Sequence, residues 1–254
     1  MKATLTYHSI EGSGSPISVS PSVFAAHVRW LVSARVRVLS LDELALHADD
    51  AEDAVAITFD DGCLNIRGAV ESLLEHGLPA TVFVVSGHVG GTNRWDGRAH
   101  PDIPALPLLN WTDLEHLVAR GAAVEAHTRS HRALTSASID ALDEELLGSL
   151  EDLETRLGTR GAHVAYPYGD VNDAVAARAA RYFRFGHTTD FRALRRADDP
   201  LRLPRLDMYY FQAPGALEAW GSPAFTRRIA WCRARRMIRA RLLGGWSPRP
   251  VATR

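Results

Sequence analysis

Two short stretches of this 254-residue sequence carry side chains that could do hydrolytic chemistry: Asp60-Asp61-Gly62 and His127-Thr128-Arg129-Ser130-His131. Two imidazoles and one carboxylate, with positions left open, make a suitable catalytic site for a divalent metal. The i, i+4 spacing of His127 and His131 predicts both rings on one side of a helical turn. Asp60 and Asp61 offer two adjacent carboxylates, of which one can hold the metal while the other, unligated, takes a proton from water. Such a set suits amide hydrolysis at neutral pH. That reaction needs an activated water, a Lewis acid or donor for the oxyanion, and a proton for the leaving amine. Each motif alone has a plainer alternative, a surface turn for the histidines and a solvated loop for Asp-Asp-Gly.

The elements around these residues alternate. Ser20-Pro21 starts a helix with Phe24, Val28, Leu31 and Val32 on one stripe, and Val55 to Phe59 reads as a buried strand running into Asp60. A helix striped by Ile66, Val70, Leu73 and Leu74 ends near Gly77, and Ala80 to Val85 is the next strand. The loop from about Gly87 to Asn110 is long enough to expect a function of it. Thr112 with Glu115 forms a capping-box pattern, Gly121 closes that helix, and Ala122 to Ala126 is a strand leading into His127. A long amphipathic helix is predicted from about Ser138 to Leu157, then a strand at Val164 to Tyr166 and a helix near Asp173 to Arg181. Weaker strand signals lie at Phe183 to Thr188 and Leu203 to Met208. This alternation argues for a parallel sheet covered by helices, and closing it into a barrel leaves no edge. Asp60-Asp61, His127 and Pro167-Tyr168-Gly169 would then share the C-terminal face, where active sites of α/β barrels form.

Taken together, Thr58-Phe59-Asp60-Asp61-Gly62 and His127-Thr128-x-x-His131 closely resemble the first two motifs of the polysaccharide deacetylase family, of NodB-homology type. The resemblance extends over most of the chain through Leu5-Thr6-Tyr7-His8, Pro79-Ala80-Thr81-Val82-Phe83, Tyr166-Pro167-Tyr168-Gly169 and Leu203-Pro204-Arg205. It implies a distorted (β/α) barrel with about seven strands. It also implies Asp60 as catalytic base, and Asp61, His127 and His131 as ligands of a divalent metal, usually zinc. The backbone N–H of Tyr168 would help to hold the oxyanion.

Two departures from the family pattern bear on mechanism. The third motif commonly begins with an arginine that orients the base, and Ala165 stands there. Arg205 is the candidate replacement, since it follows a strand start and can point inward from the barrel wall to set the pKa of Asp60. The usual late Leu-x-Ile-His motif, whose histidine protonates the leaving amine, is absent. His8 and His187 are the best-placed substitutes, while His163 sits too early in its strand. Trp95 and Asp96 in the long loop could meet a sugar ring.

Composition is that of a soluble globular protein, with 46% hydrophobic and 23% charged residues and a net charge of -1. This balance gives no general attraction to nucleic acid. Cys63 and Cys232 make neither a disulfide framework nor a metal knuckle. No stretch serves as an export signal or membrane span, so a cytoplasmic location is expected. Residues 1–223 are assigned to the catalytic domain and 224–254 to a basic helix and tail, which could touch an anionic membrane surface. The expected substrate is an N-acetylated carbohydrate: an oligosaccharide, a lipid-linked intermediate or a small glycosylated metabolite. The competing expectations are hydrolysis of another C–N amide, such as a cyclic ureide, and a catalytically silent carbohydrate-binding domain.

Overall fold

The computed structural model describes residues 1–33, 35–46, 52–97 and 101–243, apart from the side chains of Asp96 and residues 239–243. The tail expected at 244–254 lies outside the described residues. In chain order the strands are β1 (Lys2–Tyr7), β2 (Ser9–Ile10), β3 (Ser18–Val19), β4 (Arg37–Val38), β5 (Ala54–Phe59), β6 (Thr81–Val84), β7 (Ala123–Ala126), β8 (His163–Ala165), β9 (Phe185–His187) and β10 (Arg205–Asp207). The helices are α1 (Pro21–Val32), α2 (Leu41–Leu46), α3 (Arg67–Glu75), α4 (Trp111–Ala119), α5 (Ile139–Leu157), α6 (Asp173–Ala179) and α7 (Pro223–Leu243).

Seven strands run parallel in the order β10-β1-β5-β6-β7-β8-β9, with β4 beside the start of β5. The ring nearly closes. His187 at the end of β9 bridges to Leu203, two residues before β10, and Thr188 N–H donates to the Leu203 carbonyl at 2.8 Å. This is the distorted seven-strand (β/α) barrel that the sequence motifs imply.

Strand β5 shows how the core is divided. Its six residues are all buried, as expected for a parallel strand covered on both faces. Val55, Ile57 and Phe59 face the main core together with helix residues such as Val70, Leu73, Leu114 and Leu150. Ala54 and Ala56 belong instead to a small cluster with Phe83, Ala165, Leu41 and Leu44. Alternation of side chains along the strand sends one set outward and the other into the barrel. There α2 closes the end opposite the site by inserting Leu41 and Leu44, and the small alanines leave room for it.

Local signals set the helix ends, with one correction. Ser20 and Ser138 cap α1 and α5 by accepting from the N–H groups of Val23 and Ala141, both at 3.3 Å. The capping box of α4, however, is made by Asn110 and Asp113, not by Thr112 and Glu115. Asn110 Oδ1 accepts from Asp113 N–H at 2.9 Å, and Asp113 Oδ2 accepts from Asn110 N–H at 3.1 Å. The helix therefore starts two residues earlier, at Trp111, and Thr112 lies inside it.

Candidate active site

Asp60 and Asp61 follow directly on β5. In an extended chain successive side chains point to opposite faces, which would separate the two carboxylates. Asp61 instead adopts a left-handed backbone with φ 68°, and Gly62 follows at φ 70°. The turn brings both carboxylates into one neighbourhood: Asp61 meets His127 and His131, and Asp60 meets Arg205 and His8.

The histidine loop is built the same way. Residues 127–131 form an irregular loop rather than the expected helical turn, with Thr128 at φ 64° and His131 at φ 60°. Glu145 of α5, almost wholly buried, braces this loop by accepting from the N–H groups of Arg129 at 3.1 Å and Ser130 at 2.9 Å. Tyr168 is the fourth residue of this kind, at φ 61°. Thus all four described non-glycine residues with positive φ lie in the three loops that carry the motifs. Strained backbone of this kind persists where surrounding structure enforces it, and it concentrates at functional sites. Gly169, at φ 71°, is required twice over, because an added Cβ would also collide with Thr189.

Asp61, His127 and His131 are buried, and among the described residues they are the one group of three such side chains able to hold a metal, with ligand atoms within 4.8 Å of one another. His127 Nε2 lies 3.4 Å and His131 Nε2 3.3 Å from Asp61 Oδ1. Oδ1 is fully enclosed and meets no hydrogen-bond partner. His127 Nδ1 lies 2.7 Å from the Ala165 carbonyl, which can only accept, so Nδ1 carries the proton and Nε2 presents a lone pair. His131 Nδ1 is paired with the Tyr168 hydroxyl at 3.1 Å, leaving its Nε2 toward Asp61 as well. Lone pairs converging in a buried place with a partnerless carboxylate oxygen fit a cation. The second nitrogen of each imidazole is fixed as in known metal sites. Burial would raise the Asp61 carboxyl; protons on the two facing Nε2 atoms would hold it well below the usual carboxylate range, and a cation in their place acts in the same direction.

Asp60 sits beside this group and has a different partner. Arg205 Nη1 and Nη2 donate to Asp60 Oδ1 and Oδ2, each at 2.7 Å, in a bidentate pair with both side chains under 5% exposed. Arg205 Nε donates to the Thr188 carbonyl at 3.1 Å, and its guanidinium lies over the Phe83 ring. Burial pushes the Asp60 carboxyl up. Arg205, followed by His127 and His8, outweighs burial and keeps Asp60 ionised below the usual range. The position left by Ala165 is filled by small apolar packing, and the cation comes from β10 instead.

The remaining candidates divide. His8 Nε2 is 3.8 Å from Asp60 Oδ2, and the side chain is partly open to solvent. His187 is enclosed in the barrel, where its Nε2 pairs with His163 Nδ1 at 2.9 Å, and His163 Nε2 reaches Asp42 at 3.0 Å. Burial, then His163 and Arg205, keep His187 neutral, well below its ordinary pKa. The Trp95 ring, half-buried, stacks on His131 at 4.3 Å and 24°. The Asp96 side chain lies outside the described residues. Cys63 is buried, as packing predicts.

Three contacts have no sequence signal: Glu145 under the histidine loop, Trp95 on His131, and the Tyr168 hydroxyl on His131.

Comparison with known proteins follows this geometry. The profile of the family described as polysaccharide deacetylase matches residues 47–183, more than half of the chain. A poly-beta-1,6-N-acetyl-D-glucosamine N-deacetylase from Staphylococcus epidermidis is 26% identical over 203 residues, covering 74% of this chain and 67% of its own. In fold, the chain is similar to IcaB from Ammonifex degensii, with a TM-score of 0.71 and 23% identity over 91% of this chain and 97% of that one. It is also similar to the Streptococcus pyogenes deacetylase PplD in complex with acetate, at a TM-score of 0.68 and 23% identity, covering 81% of this chain and 91% of that one.

Proposed function

Because this chain belongs to the polysaccharide deacetylase family, we propose that it is a metal-dependent hydrolase removing N-acetyl groups from an amino-sugar polymer or oligomer. The observation that carries this reading is the buried Asp61, His127 and His131 group beside an Asp60 clamped by Arg205. A β-1,6-linked N-acetylglucosamine chain is the first substrate to try, given the name of the Staphylococcus epidermidis relative.

Asp61, His127 and His131 would hold a divalent ion, with zinc favoured by the two imidazoles and one carboxylate, and it would supply Lewis acidity. Asp60, ionised and fixed in rotamer by the Arg205 fork, accepts the proton of the attacking water. The Tyr168 backbone N–H donates to the carbonyl oxygen as negative charge develops there. His8, close to Asp60 and open to solvent, delivers a proton to the departing amine nitrogen. Once the C–O bond has formed, collapse of the oxyanion breaks the C–N bond as the nitrogen takes its proton, giving acetate and a free amino sugar. The neutral His163–His187 pair lies outside this sequence of proton transfers.

Acetate release from β-1,6-linked N-acetylglucosamine oligomers, measured before and after chelation and after zinc is restored, tests the proposal. Metal-reversible release supports it. A zinc-loaded, folded protein that frees no acetate from any N-acetylated sugar would overturn it.

A further inference from the structure

The last 31 residues, 224–254, contain nine arginines and no aspartate or glutamate, in a chain whose net charge is only -1. From sequence alone α7 is basic all round. Packing against the barrel sorts its side chains into two faces. Phe225, Ile229 and Cys232 are buried. On the same side Arg228 donates to the Tyr210 carbonyl at 2.7 Å, and Arg233 donates to Asp190 at 2.9 Å. Arg236 donates to the Thr189 carbonyl and lies 3.6 Å from Asp207. These arginines have partners in the barrel.

The opposite side has another composition. Arg227, Trp231, Ala234 and Ile238 follow one another at three- and four-residue steps and share one stripe, with Arg235 four residues after Trp231 at its edge. Trp231 is 59% and Ile238 55% exposed, with Met237 at 49% beside them, and the Arg235 guanidinium lies over the Trp231 ring at 4.5 Å. An exposed Trp-Ile stripe with Met237 to one side, flanked by arginines and with no acid anywhere on the helix, has the make-up of a helix lying in a membrane interface. Its apolar side chains enter the acyl boundary while the arginines meet anionic headgroups. Among the described residues no helix is long and apolar enough to cross a membrane, so the surface position is the one this helix can take.

We propose that the outer face of α7 docks on an anionic lipid bilayer. The helix is tied to the site it would carry there: Arg236 holds Thr189, whose hydroxyl in turn donates to the Tyr168 carbonyl at 3.2 Å. This proposal goes beyond the deacetylase reading and does not depend on it. A nucleic acid would meet the arginines but leave Trp231, Met237 and Ile238 without apolar cover, which favours lipid.

The test is co-sedimentation of the full chain with vesicles of phosphatidylcholine, with and without phosphatidylglycerol. Binding is expected only to the anionic vesicles and should weaken as salt rises. The Arg227→Ala/Arg235→Ala variant should bind roughly 30-fold more weakly, at about fivefold per arginine. Trp231→Ala/Ile238→Ala should weaken binding further through lost apolar burial, and all variants should keep the parental melting temperature because these side chains lie outside the core. Failure of the unaltered chain to sediment with anionic vesicles would overturn the proposal, as would sedimentation indifferent to both double variants. Without vesicle binding, tight capture of an oligonucleotide, or a self-association that Trp231→Ala abolishes, would equally overturn it and assign the stripe elsewhere.

Discussion

Replacing Arg205 by alanine removes both hydrogen bonds that hold the Asp60 carboxylate, at 2.7 Å each, and leaves that carboxylate almost wholly buried. With charge centres about 4 Å apart and an effective dielectric of about 20, the lost attraction is about 4 kcal/mol. Breaking one partner of a buried pair typically costs about 3–5 kcal/mol, which agrees. The protein can avoid part of that cost by protonating Asp60. Without the guanidinium, burial is left to push the Asp60 carboxyl up, so an upward shift is expected. The sign follows from linkage. Asp60 is held below its ordinary pKa in the native protein, so the pair stabilises the fold above the unfolded carboxylate pKa, and that stability is lost as pH falls. In Arg205→Ala the acidic limb of kcat/KM, which reports the free enzyme's base, should therefore move to higher pH. Urea unfolding near neutral pH should show the stability loss, and metal content should be unchanged. A double-mutant cycle with Asp60→Asn should show strong coupling between the two positions. A variant as stable as the parent, with an unshifted limb and additive effects, would refute the role given to Arg205.

Alanine at Asp61, His127 or His131 should lower bound metal together with activity, because three protein ligands leave little redundancy; full metal occupancy in His131→Ala by elemental analysis would mean the ligand assignment is wrong. Asp60→Asn should keep its metal and lose roughly 10²–10⁴-fold in rate, and comparable turnover by this variant would take Asp60 out of the mechanism. Glu125, 8% exposed, is pushed up to about 7 by burial, against the opposing N–H groups of His163 and Ala162, so its contribution to stability is present below the unfolded carboxylate pKa and is lost as pH rises through about 7. Glu125→Gln should flatten the fall in unfolding free energy between acid and neutral pH by up to about 3 kcal/mol, and an unchanged pH profile in denaturant titrations would show that Glu125 ionises freely.

The barrel elements were legible because local pattern carries them. The Val55–Phe59 run, the stripe through α5 and the Ser20 and Ser138 caps depend on neighbours within a turn or a strand, and each element formed within a few residues of its expected place. The residue types of the candidate site were legible for a related reason: a carboxylate doublet and a His-x-x-x-His pair are chemically distinctive wherever they stand. The α4 cap was misplaced because Thr112-Glu115 and Asn110-Asp113 both satisfy the local rule, and the chain path entering the helix chose between them.

The geometry that makes a site of those residues came from tertiary structure. The left-handed backbones of Asp61, Thr128, His131 and Tyr168 run against the preference of non-glycine residues and are held by contacts such as Glu145 beneath the histidine loop. Arg205 reaches Asp60 across 145 residues only because β10 lies beside β1 and β1 beside β5. His187, also a candidate by its place near a strand end, is enclosed with His163 inside the barrel, whereas His8 comes near Asp60. Which of two similar side chains meets the carboxylate is decided by ring closure. That fixes the inward and outward positions of every strand at once, and no window of sequence contains it.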